Sequence, residues 1–123
     1  CAGFFKYCEN VMTPSIQTPE HYTWGNQCSG WHLLKTDTLS VIRETMPPRT
    51  SEQMHFHRRS QQLFYILSGT ATFEMDGGLL EAHAAESVHI PGGTLHCISN
   101  RTDKELAFLV ISEPPSHGDR QDT

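Results

Sequence analysis

The chain has 123 residues, of which 37% are hydrophobic and 19% charged, with a formal net charge of -5. That length fits one domain around one core, and the acidic balance argues against a nucleic-acid-binding face. The longest apolar run, Leu106 to Ile111, is too short to cross a membrane.

Cys1, Cys8, Cys28 and Cys97 form no Cys-x-x-Cys pair, which excludes a zinc ribbon or a thioredoxin motif. The opening Cys1-Ala2-Gly3-Phe4-Phe5-Lys6 does not read as a signal peptide. Reduced thiols and a cytoplasmic location are the expectation.

Residues 1–23 read as an arm, because Thr13-Pro14-Ser15 and Thr18-Pro19 interrupt any helix. It is either a loosely held terminus or a strand that packs on a second subunit. From Trp31 the pattern turns to short strands: Trp31 to Lys35, Leu39 to Met46, Gln53 to His57 and Gln62 to Leu67. Pro47-Pro48 ends the second, since proline cannot continue a ladder. Thr70 to Met75 follows Ser68-Gly69 so closely that it reads as a hairpin with the strand before it. Asp76-Gly77-Gly78 is the next turn. Leu79 to Ala82, Ser87 to Ile90, Leu95 to Ser99 and Glu105 to Ser112 complete the series. The polar tail, residues 116–123, reads as disordered, although His117-Gly118-Asp119-Arg120 can fold over a barrel end. Many short strands without a helix predict an all-β sandwich or barrel over residues 24–115.

Side chains alternate along a strand. His55 and His57 therefore share one face, Gln62, Phe64 and Ile66 another, and His96 and Ile98 a third. A barrel has one interior, so three strands can aim donors at one point. His55, His57, Gln62 and His96 are thereby expected to meet around one metal ion. A lone His-x-His is more often a solvated pair. Gln62, opening an apolar strand, and His96, following the Pro91-Gly92-Gly93 turn, favour the metal.

These residues resemble the two motifs of a small single-domain cupin. His55-x-His57-x4-Gln62-x6-Gly69 follows the first motif, and Pro91-x-Gly93-x2-His96-x3-Asn100 follows the second. Arg49 and Ala85 stand where each motif's leading Gly would be, and Gln62 replaces the usual Glu. The resemblance implies a jelly-roll barrel (a double-stranded β-helix), a homodimer, a divalent metal ion and a small-molecule substrate. With Gln62 the ligand set is neutral, and an amide oxygen is a weaker donor than a carboxylate. The ion would bind more weakly and keep more Lewis acidity. Zinc, nickel, copper or iron suits imidazoles, and manganese is tolerated in octahedral geometry.

Three functions are open: isomerase or lyase chemistry on a small oxygenated substrate, a metal-dependent dioxygenase, and a non-catalytic sugar-binding protein. Within the family, enzymes that ketonise unsaturated uronates and manganese-dependent hydroxynitrile lyases carry a Gln at this place. The uronate enzymes use an acidic residue late in the last strand, where this chain has Phe108, Leu109 and Val110. Arg43 and His89 are the catalytic candidates. Arg43 and Glu44 alternate, so one of them can face the interior, and an inward Arg43 would clamp a carboxylate. His89 can act as a base or support a ligand. Trp24, Trp31 and His32 can line an entrance, whereas Tyr65 and Cys97 are out of phase with the ligands.

Overall fold

The structure, a computed structural model, describes residues 14–123. Cys1, Cys8 and most of the expected arm lie outside the described residues. The chain forms the expected all-β jelly roll, with two antiparallel sheets facing each other across one interior. The first runs β1 (Glu20–Trp24), β2 (Cys28–Lys35), β3 (Ser40–Met46), β11 (Leu106–Glu113), β6 (Gln61–Ser68) and β9 (Ser87–Ile90). The second runs β12 (Arg120–Asp122), β5 (His55–His57), β10 (His96–Asn100), β7 (Thr70–Met75) and β8 (Gly78–His83). A short β4 (Thr50–Ser51) also pairs with β10. No helix among the described residues is long and apolar enough to cross a membrane.

Period-two alternation decides which side chains enter the interior. On β6, Phe64 and Ile66 are buried, while Leu63, Tyr65 and Leu67 look outward. With Met46, Phe73, Ile98, Leu106 and Phe108 they form the core. Phe64 meets Phe73 edge-on at 5.1 Å, and each such buried ring contributes about 1.5–3 kcal/mol. Phe64, Ile98 and Val110 of this core also line the cavity beside His55 and His57.

Two expectations fail. β6 and β7 are not a hairpin, since they belong to opposite sheets. Ser68-Gly69 is the corner where the chain changes sheet. Gly69 has φ +86, and a Cβ there would stand 2.7 Å from the Glu105 carbonyl oxygen. The local hairpin is β7 with β8 instead, closed by Asp76 and Gly77, both at positive φ. The tail is likewise not disordered. β12 pairs with β5, and the Asp119 carboxylate accepts the backbone N–H groups of Arg58, Arg59 and Ser60 at 3.2, 2.9 and 2.9 Å. At the other end, β1 pairs with β2 of the same chain.

Candidate metal centre and its cavity

β5 and β10 are neighbours, with His55 directly opposite His96. His57 lies on the same face of β5 as His55, and all three rings are buried, at 3%, 5% and 1% exposure for His55, His57 and His96. One ring nitrogen from each lies within 4.8 Å of the others. The Pro91-Gly92-Gly93 turn is held to this strand by the Gly93 N–H, which donates to the His57 carbonyl at 2.6 Å. A Cβ on Gly92 would stand 3.2 Å from the Arg59 carbonyl, so the turn needs a small residue to dock closely. This contact sets where His96 begins its strand.

The donor set fits a metal ion. Nδ1–H of His55 donates to the Gln53 carbonyl at 2.8 Å, and Nδ1–H of His96 donates to the Thr94 carbonyl at 2.7 Å. Each leaves Nε2 with a free lone pair, the arrangement that carbonyl-oriented metal histidines use. His96 Nε2 and Gln62 Oε1 are buried without any hydrogen-bond partner. Gln62 Nε2 donates to Ser112 Oγ at 3.1 Å, an orientation that leaves Oε1 as a free acceptor. Such orphaned acceptors are costly unless something binds them. Burial pushes the His55 ring down to about 4, against the Gln53 hydrogen bond, with Arg120 and the other imidazoles adding to the fall. Burial lowers His57 and His96 as well. Neutral imidazoles are the form that ligates a metal.

His55 and His57 open into a cavity of about 360 Å³. Gln62 and Ser112 share its wall, as do Tyr22 and Trp24 from β1 and Glu44 from β3. Glu52, which precedes β5, and Arg120 from β12 complete the polar lining. Arg120 Nη1 lies 3.8 Å from Glu52 Oε2. Burial raises the Glu52 carboxyl to about 7, and Arg120 opposes that rise.

Arg43 and His89 are not brought to this cavity. The strand phase of β3 turns Ile42 and Glu44 inward, and Arg43 lies outside with its guanidinium 5.2 Å from the Trp31 ring centroid. His89 is exposed on β9, where Nε2–H donates to Gln61 Oε1 at 3.0 Å. Trp24 lines the cavity, whereas Trp31 and His32 are not among its walls. Sequence reasoning missed Tyr22, Glu52 and Arg120. The inward phase of Met46 was the available signal for Glu44, since the two are i and i+2 on one strand.

The model of the cupin domain matches residues 42–112. An uncharacterized protein of Methanocaldococcus jannaschii is 30% identical over 91 residues, covering 73% of each chain. An oxalate-binding protein of Thermotoga maritima is 27% identical over 85 residues, covering 65% of this chain and 70% of its own. A crystal structure from Thermotoga maritima, described as a predicted oxalate decarboxylase, superposes with a TM-score of 0.71 at 24% identity. It covers 80% of this chain and 93% of that one. Since the matched stretch holds every histidine of the cluster and both strand turns that aim them, the chain belongs to the cupin family.

Proposed function

We propose that the chain is a metal-dependent enzyme that acts on a small oxygenated substrate by isomerase or lyase chemistry. The observation that carries this reading is the trio of buried histidines whose nitrogens converge, with the orphaned Gln62 oxygen on a side chain that lines the same cavity as His55 and His57. His55, His57, His96 and Gln62 would hold the ion. A divalent ion with these neutral ligands would polarise a substrate carbonyl or hydroxyl oxygen. The chain's own residues do the rest. Phe64, Ile98 and Val110 make the cavity floor apolar, which limits water around the reacting atoms. Ser112 holds the Gln62 amide in one orientation. Arg120 supplies a positive charge at a wall, where an anionic substrate group can approach.

Metal analysis after gentle purification, and after reconstitution with zinc, manganese, nickel and iron, tests the premise. One ion per chain is expected, lost in His57→Ala and His96→Ala. A folded wild-type protein that takes up none of these ions would rule the reading out. Turnover that continues without oxygen separates this chemistry from a dioxygenase. A second reading, binding of a small dicarboxylate without turnover, is favoured by the oxalate-binding relative. Calorimetric titration of the metal-loaded protein with oxalate decides it, and no measurable heat counts against it.

A further inference from the structure

One wall of the cavity is a row of three residues in register across three strands. Tyr22 on β1 sits opposite Gly30 on β2, and Gly30 sits opposite Glu44 on β3. The Tyr22 ring occupies the space where a side chain on Gly30 would be. A Cβ there would overlap the ring and stand 2.5 Å from the phenol oxygen. The phenol thus crosses the middle strand, and its hydroxyl meets the Glu44 carboxyl. Both side chains line the same cavity as His55, His57 and Gln62.

Burial pushes the Glu44 carboxyl up to about 8. Glu52 adds to the rise, while the Tyr22 hydrogen bond and Arg120 oppose it. Burial raises the Tyr22 phenol too, with Glu44 contributing. At neutral pH the pair is therefore mostly uncharged and holds a proton inside the cavity. A half-buried acid of this kind, paired with a hydroxyl and sharing a cavity with His55, His57 and Gln62, has the makings of an acid–base group.

We propose that Glu44, oriented by Tyr22 across Gly30, is the acid–base residue of the cavity, and that its substrate is a small α-hydroxycarbonyl compound or the corresponding enol. This rests on the metal-dependent reading above. The substrate's carbonyl oxygen faces the histidines, and its adjacent carbon faces Glu44. In the enolising direction the C–H proton passes to the Glu44 carboxylate. The C–H electron pair becomes the new C=C bond, and the carbonyl π pair moves onto oxygen. In the ketonising direction the Glu44 carboxyl returns a proton to carbon. Nothing is oxidised or reduced, and no group leaves. A carboxyl that titrates close to neutral pH serves both directions. Tyr22 is a positioning residue that keeps the carboxyl pointed at the cavity.

The test loads wild type, E44Q, Y22F and G30A with manganese or zinc. It then follows deuterium uptake from D2O into dihydroxyacetone and glycolaldehyde by NMR. The wild type is expected to exchange a carbon-bound proton faster than the free ion does. E44Q should lose about 100-fold or more of that rate while binding the same amount of metal. Y22F and G30A should lose about 10-fold and shift the pH profile of exchange. Exchange by metal-loaded E44Q at the wild-type rate overturns the proposal. A wild-type protein that holds stoichiometric metal but exchanges neither probe also overturns it, and leaves the metal reading standing. A wild-type protein that takes up no metal overturns both.

Discussion

Replacing Asn100 with aspartate keeps the side-chain shape but reverses the hydrogen-bonding sense at the end of the histidine strand β10. Asn100 is 1% exposed. Its Nδ2 lies 3.0 Å from the Met46 carbonyl, 3.2 Å from that of Pro47 and 2.7 Å from that of Lys104. Its Oδ1 accepts from Thr102 N–H at 3.1 Å and from Thr102 Oγ1 at 2.9 Å. In Asn100→Asp both N–H donors vanish, and an oxygen faces three carbonyl oxygens. At least two buried acceptors lose their partner, at about 1–3 kcal/mol each, so a loss of about 3–5 kcal/mol is expected at pH 8. That is a large share of a domain's usual stability.

The aspartate can relieve the clash only by taking a proton, so its pKa when folded lies above its unfolded value of about 3.9. The stability it contributes is then present below about pH 3.9 and is lost as pH rises through the folded value. Asn100→Ala removes the same donors without adding a charge. Urea unfolding of the three proteins at pH 5 and pH 8 should show Asn100→Asp falling further below Asn100→Ala at the higher pH. The reasoning is refuted if Asn100→Asp stays within about 1 kcal/mol of wild type at pH 8, or if the gap between the two variants does not depend on pH.

Further predictions concern the cavity and the C-terminal tail. Gln62→Glu adds a negative charge to a neutral ligand set and should tighten divalent-ion binding. Equilibrium dialysis that finds weaker binding would contradict the ligand role. Because Glu44 is raised to about 8, its folded form keeps a proton that the unfolded chain releases above about pH 4.3. Stability should therefore fall as pH rises from about 5 to 8, by at most about 1.4 kcal/mol per pH unit, and E44Q should flatten that slope in chemical unfolding. Asp119→Ala releases the N–H groups of Arg58, Arg59 and Ser60. Hydrogen exchange at those amides should speed up, and unchanged protection would mean that the Asp119 carboxylate is not what ties the tail to these residues.

The strands and the convergence of the histidines were legible because both follow from a period of two. His55-x-His57 can only share a face, and His96 after Pro91-Gly92-Gly93 can only start a strand. What escaped depends on pairing that no local pattern carries. Ser68-Gly69 looks like a hairpin turn, yet the chain changes sheet there, and only the Glu105 backbone beside Gly69 shows why. Tyr22 was read within an arm because its importance lies in the bare position of Gly30 next to it, a fact of register. β12 is three polar residues long and has no apolar alternation, so nothing in its composition marks it as a strand. Arg43 and Glu44 differ by one step, and choosing between them requires the phase of β3.

The strand β12 lies against β5, so the last strand of the fold forms the flank of the strand that carries two of the histidines. Tyr22, Trp24, His117 and Arg120 all border the cavity yet fall outside the stretch that matches the family, residues 42–112. The barrel is thus modular in a chemical sense. Its middle supplies the three histidines and much of the cavity lining, and its two flanks add the Tyr22, Trp24, His117 and Arg120 side chains to that lining. Grafting the flanks of a relative onto this middle would be a way to reshape the cavity mouth without disturbing the histidine cluster.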